Sequence, residues 1–406
     1  MKTKISIEEA LELLLAHAAP VGTETLPLEK LAGRVLAEEV RARVPVPPFD
    51  RSPYDGYALI AADTAAASRE KPVTLRLTEE IPAGKAPTVA LRHGLAAKIL
   101  TGAPLPPGAD VTVKYETVDF TDETVTFHEP VRPGDVVRAG EDVEAGALLA
   151  APGTELSPAH VGMLAGQGVA AASVYRRPVA AVLSTGSELA KPGEPLGPAQ
   201  IYNSNAYTIA AYLNDLGCGA ENLGAVPDDP EAIAAAIRSA LDRADLVITT
   251  GGASVGDYDW AVRVFERIGA EILFWKVSFK PGGSLAAAVA GDKLILSLSG
   301  NPGAAVIGLL RLGLPVLRRL RGCAAPMAEP VRVLLKGRFK KDSPQRRLVR
   351  GRLLIEDGRA WFLPSDGQGN GVVSSLLGCD LLAELPAGTP PLEEGALLTA
   401  WPVPAK

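Results

Sequence analysis

Hydrophobic and polar positions follow a different rhythm in successive parts of the chain. Between residues 177 and 325, near-continuous apolar runs such as VAAVLST and DLVITTGG alternate with amphipathic helical segments. Apolar strands that alternate with helices predict a parallel sheet covered by helices on both faces. We therefore expect a doubly wound, mostly parallel α/β domain over residues 177–325.

The two flanking regions have β texture. Residues 50–140 contain short runs such as VTLRLTEEI and VTVKYETVDF separated by turns, which predict a β-rich inserted domain. Residues 326–406 contain further short apolar runs such as VRVLLKG and RLLIEDG. We expect them to form a C-terminal, barrel-like β domain.

The remaining residues, 1–49 and 141–176, are predicted to form an N-terminal helical and linking domain. An acidic amphipathic helix should begin after Ser6, which has Glu9 three residues later in a capping-box arrangement. A short helical segment is expected near Leu28–Leu36, and another helix should begin at Pro158.

Composition and charge narrow the class of protein. Glycine (41) and proline (34) are abundant among the 406 residues and follow no period, which excludes collagen and predicts many turns. The hydrophobic content of 47% excludes disorder as the main state. A net charge of −6 argues against a nucleic-acid partner, so any anionic ligand must bind in a local basic pocket.

The cysteines and the apolar segments indicate the cellular compartment in which the protein is expected. The three cysteines are scattered without a CxxC pair, which predicts neither a disulfide framework nor a zinc site and fits a reducing cytoplasm. The N-terminus lacks the basic start and apolar run of a signal peptide, and no stretch is apolar enough for a membrane span. We expect a cytoplasmic protein without a membrane contact.

Ligands of open α/β sheets bind beyond the carboxyl ends of the strands, and the loop LSTGSEL at 183–189 lies at such a place. The hydroxyl of Thr185 and the backbone N–H of Gly186 suit a phosphate group. Glu188 could bind a metal ion or a ligand hydroxyl. The alternative is an ordinary turn that ends a strand.

A second loop, ITTGGASVGDYDW at 248–260, follows another buried strand. Its glycines would let the backbone approach an anion, and its two acids suit a divalent cation. Alternatively, one acid caps the following helix. The loop matches neither the P-loop nor the GxGxxG pattern, so a kinase, GTPase or NAD-dependent enzyme lacks its signature here.

The third loop region combines WKVSFKPGGS at 275–284 with LSGNPGAAV at 298–306. Lys276 and Lys280 lie four residues apart at a strand end and could face one anion, although solvated surface lysines are the alternative. Pro302 should occupy the first position of the next helix. Further upstream, Asp229 is predicted to cap a helix, which leaves Asp228 for another role.

Two further segments carry charge. PPFDRSPYDGYAL, residues 47–59, places Asp50 and Asp55 around Pro53, where turn chemistry is the alternative to a functional role. The basic run KGRFKKDSPQRRLVRGR at 336–352 is interpreted as a solvated β-hairpin, with an anion contact at a domain junction as the alternative.

These segments, in this order, resemble one family, the molybdopterin molybdenumtransferases, called MoeA in bacteria and the E domain of gephyrin in animals. The likeness is carried by PPFDRSPYDGYAL, ILTGAPLPPGADVTVKYE, VRAGEDVEAG, VLSTGSELAKPGEPLGPAQIYNSN, ITTGGASVGDYDW, FWKVSFKPGG and LSGNPGAAV. It implies an enzyme that takes adenylylated molybdopterin and molybdate as substrates, uses Mg²⁺ and releases AMP.

The resemblance, together with the loop chemistry, assigns site residues. Catalytic roles fall on Asp55, Glu188, Asp228, Asp259, Lys276 and Lys280. Contacts to the pterin ligand or to molybdate fall on Thr101, Asp142, Ser184, Thr185, Gly186, Gly251, Gly252, Ser254, Gly256, Gly282, Ser299, Gly300, Asn301 and Pro302. Metal ligands would come from Glu188, Asp228, Asp257 and Asp259.

The resemblance also implies a homodimer in which Asp55 acts across the subunit interface, with molybdopterin adenylyltransferase as a candidate partner. The chain departs from the family pattern at Gly283, where a lysine is usual, and at Ser299, where a proline is common. Three alternatives stay open: a molybdopterin adenylyltransferase, a tungstate-preferring paralogue and a non-catalytic pterin-binding scaffold.

Overall fold

The computed structural model describes residues 1–251 and 258–403, and side chains except those of residues 258–261 within that range. The contacts divide the chain into two compact units. The first, here called unit 1, comprises residues 1–38, 152–157 and 171–406, and unit 2 comprises residues 39–151 and 158–170. The predicted division into four domains stays a prediction.

Up to residue 176 the chain is mainly β. In chain order, its elements are β1 (Lys2–Ile5), α1 (Ile7–Ala16), β2 (Thr23–Pro27), β3 (Val40–Arg41), β4 (Gly56–Leu59), β5 (Val73–Ile81), β6 (Leu95–Ile99), β7 (Val111–Lys114), β8 (Asp119–Phe120), β9 (Thr124–Phe127), β10 (Leu148–Ala150), α2 (Pro158–Gly166) and β11 (Ala171–Tyr175). The predicted helical segment near Leu28–Leu36 is only a single 3₁₀ turn, Leu28–Lys30.

The following region alternates strands and helices as predicted. Its elements are β12 (Val179–Thr185), β13 (Leu189–Ala190), β14 (Ile201–Tyr202), α3 (Ser204–Asp215), β15 (Gly219–Val226), α4 (Pro230–Leu241), β16 (Leu246–Thr250), α5 (Tyr258–Arg267), β17 (Glu271–Val277), β18 (Ala286–Ala290), β19 (Lys293–Leu298), α6 (Pro302–Gly308) and α7 (Leu314–Leu320). A π-helical turn, Leu309–Gly313, joins the last two helices.

Unit 1 is built on a seven-stranded sheet in the order β1-β17-β18-β19-β16-β12-β15. Parallel pairing joins β19, β16, β12 and β15, which confirms the predicted mostly parallel sheet. Strand β18 is antiparallel to both neighbours. Only Gly291 and Asp292 separate β18 from β19, and a two-residue turn can join antiparallel strands only.

The N-terminus contributes to this same sheet. Strand β1 pairs in parallel with β17, and α1 packs its buried face into the core of the sheet through Ile7, Leu11 and Leu14. The helix begins as predicted, because the Ser6 hydroxyl accepts a hydrogen bond from the Glu9 N–H at 3.1 Å.

The predicted C-terminal β domain is a closed barrel. Its strands are β20 (Val331–Leu335), β21 (Arg347–Glu356), β22 (Arg359–Pro364), β23 (Leu381–Leu385) and β24 (Leu397–Pro402). Phe362 and its apolar neighbours fill the barrel. A bridge between Lys280 and Arg347 joins the barrel to the loop that follows β17.

Unit 2 contains a six-stranded sheet in the order β7-β4-β6-β5-β9-β8. Its core includes Tyr57, Val125 and Phe127. No helix within the described ranges is long and apolar enough to span a membrane.

Candidate functional site

Three of the predicted loops begin at one edge of the parallel sheet. Ser184 of β12 lies opposite Thr250 of β16, and Thr250 lies opposite Leu298 of β19. The carboxyl ends of the three strands are therefore level. The loops that start at Gly186, Gly251 and Ser299 consequently leave the sheet side by side.

Glycines let these loops touch through their backbones. A Cβ atom added to Gly251 would lie 2.5 Å from the carbonyl oxygen of Thr185, and one added to Gly300 would lie 3.2 Å from the Cα of Gly251. Gly251 also has a φ of +96°, which side chains rarely adopt. Only glycine at position 251 permits this junction, which we call the glycine junction.

A network of hydrogen-bonded polar side chains stabilises the glycine junction. The Ser184 hydroxyl donates to Asn203 Oδ1 at 3.0 Å and lies 3.0 Å from the Thr250 hydroxyl. Asn203 caps α3, and Asn205 Nδ2 donates to the carbonyl oxygen of Gly300 at 2.8 Å. Ser184 was expected to contact the ligand, but it is fully buried in this network.

The two asparagines were not among the predicted residues. The preference of asparagine for the position before a helix would have pointed to Asn203, which precedes α3.

Two predicted acids lie beside the loop after β12. Glu188 is exposed, and its carboxylate folds back so closely that a Cβ on Gly186 would lie 2.5 Å from Glu188 Oε2. Asp228 is also exposed, and its Oδ2 accepts a long 3.4 Å hydrogen bond from the Ser187 N–H. Asp229 caps α4 as predicted, since it accepts a hydrogen bond from the Ala232 N–H.

The two other predicted acids are Asp257 and Asp259. Asp257, together with Gly252, Ser254 and Gly256, lies outside the described residues, and Asp259 belongs to α5 but its side chain is not described. Within the described residues, no group of three or more His, Cys, Asp or Glu side chains is arranged to hold a metal ion.

A cavity of about 710 Å³ lies next to the glycine junction. Its size is in the usual range for small-molecule sites. The cationic side chains that line it are Lys4, Lys276, Lys280 and Arg346, and its polar lining includes Ser299 and Asn301. We call it the basic cavity. Gly282 of the predicted set also lines it, whereas Pro302 begins α6 as predicted.

The basic cavity carries uncompensated positive charge. Arg346 is neutralised by Glu8 and Glu384, each at 2.7 Å. In contrast, no described carboxylate forms an ion pair with Lys4, Lys276 or Lys280. The Lys276 ammonium lies over the Trp275 ring, 3.8 Å from its centroid, a contact that leaves its charge uncompensated. Three ammonium groups without a described carboxylate partner, around one cavity of an otherwise acidic chain, favour an anionic ligand.

The prediction of a solvated hairpin for the basic run 336–352 is wrong. The run ends in β21 of the barrel, where Arg350 is fully buried and donates to the carbonyl oxygens of Gly369 and Val372. Arg346 reaches the basic cavity because its carbonyl oxygen accepts the Lys280 N–H at 2.9 Å. The sequence of a basic run does not show which of its arginines will pair with carboxylates or carbonyl oxygens that are distant in the chain.

Unit 2 holds the remaining predicted residues. Asp55 is exposed just before β4, and both the N–H and the hydroxyl of Thr101 donate to its Oδ1 at 2.7 Å. The backbone N–H and then the hydroxyl of Thr101 lower the pKa of Asp55. Asp142 is exposed in another loop, where its N–H donates to the carbonyl oxygen of Val46 at 3.0 Å.

Replacing Thr101 by valine is expected to raise the pKa of Asp55 toward its ordinary value. Valine removes the hydroxyl donor but leaves the backbone N–H, so the carboxylate loses one of two groups that favour its charged form. The variant should therefore protonate Asp55 at a higher pH than the wild type does. An NMR titration of the carboxyl carbon would measure this shift.

The control for this prediction is Thr74→Val. Thr74 contacts the Thr126 hydroxyl at 2.9 Å rather than a carboxylate. An Asp55 titration in Thr101→Val that matches both the wild type and this control would show that the hydroxyl has no effect.

Three family models match the chain in succession. The MoeA N-terminal region (domain I and II) matches residues 5–168, the probable molybdopterin binding domain matches residues 181–319, and the MoeA C-terminal region (domain IV) matches residues 332–403. Their order corresponds to the order of the sequence motifs.

Curated relatives and a solved structure agree with these models over nearly the full length. A molybdopterin molybdenumtransferase of Bacillus subtilis (strain 168) is 35% identical over 97% of this chain and 93% of its own length. A molybdopterin molybdenumtransferase of Staphylococcus epidermidis is 31% identical over 98% of this chain and 95% of its own length. The molybdopterin biosynthesis moea protein from Pyrococcus horikosii has a TM-score of 0.86 at 31% identity, covering 99% of this chain and 100% of that one.

Proposed function

Because this chain belongs to the molybdopterin molybdenumtransferase family, whose members are enzymes of molybdenum cofactor biosynthesis, we propose that it inserts molybdenum into adenylylated molybdopterin with release of AMP. The observation that carries the proposal is the basic cavity beside the glycine junction. Molybdate is a tetrahedral dianion, and lysine ammonium groups are compact charges that suit such an oxyanion. Lys276 and Lys280 would bind it, with Ser299 and Asn301 donating hydrogen bonds.

The glycine junction suits the phosphate part of the other substrate. Backbone N–H groups at the carboxyl ends of parallel strands are general binding sites for phosphates. Gly251 and Gly300 carry no side chain that would cover this backbone. The Gly186 N–H, predicted to suit a phosphate, instead donates to the Val226 carbonyl oxygen at 3.1 Å, and the Glu188 carboxylate lies over this glycine. The Gly251 N–H donates to the Leu298 carbonyl oxygen at 3.3 Å. The adenylyl phosphate would lie over the loops after β16 and β19, and the dithiolene of molybdopterin would face the basic cavity.

The exposed acids beside the glycine junction fit a divalent cation. Magnesium is usually held by one or two carboxylates together with substrate phosphates and water, so it needs no complete cage of protein ligands. Glu188 and Asp228 would hold it. When bound, it would offset the negative charge of the phosphoanhydride while that bond breaks.

Asp55 has the properties of a carboxylate that is charged at neutral pH. Its lowered pKa keeps the carboxylate ionised at neutral pH and makes it a poor proton acceptor. We therefore assign it the orientation of a water molecule instead of proton abstraction. Asp55 belongs to unit 2 and the lysines belong to unit 1, and we propose that a homodimer combines them in a shared site.

The test is a reaction with adenylylated molybdopterin, magnesium and molybdate. We expect AMP to form together with molybdenum cofactor, which reconstitution of a cofactor-free molybdenum enzyme would report. A Lys276→Met, Lys280→Met double variant should bind the pterin ligand but convert it poorly. A wild-type protein that binds the ligand without releasing AMP would be a scaffold, and activity with tungstate alone would indicate the tungstate-preferring alternative.

A further inference from the structure

Lys4 is the residue of the basic cavity that the sequence did not indicate. It lies on β1, and the register pairs Thr3–Trp275 and Ile5–Val277 flank it on either side. Lys276 of β17 is consequently the residue opposite Lys4, and both line the basic cavity. Two lysines that are far apart in the sequence thus meet at one edge of the sheet.

Both lysines have an unusual backbone conformation. Lys4 has a φ of 53° and Lys276 a φ of 65°, in the left-handed region that residues other than glycine rarely adopt. Such conformations cost free energy and persist only where the surroundings hold them, which occurs often at functional sites. Here Ser278 holds Lys4, because its hydroxyl donates to the Lys4 carbonyl oxygen at 2.7 Å.

The charge of Lys4 has no structural use in the described part of the chain. Lys2, on the same strand, forms an ion pair with Glu9 at 2.6 Å. Lys4 is exposed and has no such partner among the described carboxylates. Glu8 and Glu384, the acids near the cavity, are already paired with Arg346.

The loop after Lys280 cannot supply a further cation. A Cβ atom at Gly283 would lie 2.3 Å from the carbonyl oxygens of Val277 and Phe279, so this backbone excludes any side chain there. Any additional positive group for the ligand would therefore come from another element. Strand β1 provides it.

We propose that Lys4 is a third cationic ligand for the tetrahedral oxyanion in the basic cavity, alongside Lys276 and Lys280. The inference rests on the proposed function, which makes molybdate the oxyanion. Three ammonium groups around one dianion would raise its affinity most at low ionic strength, where charges are least screened.

The experiment is calorimetric titration of the full-length protein with inorganic molybdate at low salt. Lys4→Asn removes the charge, and asparagine tolerates the left-handed backbone. We expect its dissociation constant to rise about three- to tenfold, as for a partly exposed charge contact. Lys4→Arg should bind like the wild type, and so should the matched control Lys2→Asn on the same strand.

The outcomes separate this inference from the proposed function. Equal affinity of Lys4→Asn and wild type would overturn the role of Lys4 and leave the proposed function standing. Failure of the wild type to bind molybdate or tungstate would overturn both. If Lys4→Asn does not fold, Lys4→Gly serves in its place, because glycine relieves the backbone strain as it removes the charge.

Discussion

Replacement of Asp55 by asparagine is expected to lower the rate of AMP release by at least about 100-fold, a magnitude typical for removal of one electrostatic group in an active site. Asparagine keeps an oxygen that can accept both hydrogen bonds from Thr101, so only the charge is lost. Asp55 is exposed, and the melting temperature should therefore stay that of the wild type. Chromatography of AMP and thermal unfolding would measure the two quantities.

Asp119→Asn is the matched control for this variant. Asp119 is an exposed carboxylate of the same unit, and its contact is His128 at 2.7 Å. Its loss should change the rate by less than about twofold, as for an ordinary surface substitution. Near-normal AMP release by Asp55→Asn would remove this residue from the mechanism.

A mixture of two inactive variants would test whether Asp55 acts across a subunit interface. Asp55→Asn and Lys276→Met change different units of the chain. Suppose that each site combines Asp55 of one subunit with Lys276 of the other, and that the variants are mixed in equal amounts and exchange subunits. Half of the dimers then contain one subunit of each variant, and each of these mixed dimers has one complete site. The mixture should then recover up to about a quarter of the wild-type rate. No recovery after demonstrated exchange would place both residues in the site of one chain.

The sequence predicted features that depend on neighbours along the chain. Ser6 and Asp229 cap their helices, and Pro302 begins α6, because capping chemistry is local. The parallel strands followed from their continuous apolar runs. The glycine-rich loops were predicted at the carboxyl ends of those strands, and the structure brings three of them together.

Features that depend on contacts between residues far apart in the sequence could not be predicted from local patterns. Strand β1 has only four residues, too few to show a period, so nothing indicated that Lys4 would lie opposite Lys276. The hydroxyl of Ser184 lies in a strand buried on both faces, where an apolar run cannot show which face a polar residue occupies. The buried Arg350 depends on carbonyl groups that only the folded barrel places around it.

Replacement of Gly251 by alanine is expected to have the second large effect, on stability and activity together. Its Cβ would lie 2.5 Å from the Thr185 carbonyl oxygen and 2.6 Å from the Thr185 hydroxyl, so the loops after β12 and β16 must separate. Overpacking of this kind costs about 1–3 kcal/mol, and the φ of +96° adds about 1–2 kcal/mol. Chemical denaturation would measure the lost free energy of unfolding.

Gly269→Ala isolates the clash from the backbone strain. Gly269 has a φ of +69°, but its added Cβ would meet no atom within 4 Å. Gly269→Ala should therefore lose only the part of the free energy of unfolding that comes from backbone strain, and it should keep nearly full activity.

Gly251→Ala, in contrast, displaces the loops proposed to bind phosphate, and misplacement by about 1 Å can cost about 100-fold in rate. Equal activity in the two variants would show that contact between these loops is not required for catalysis.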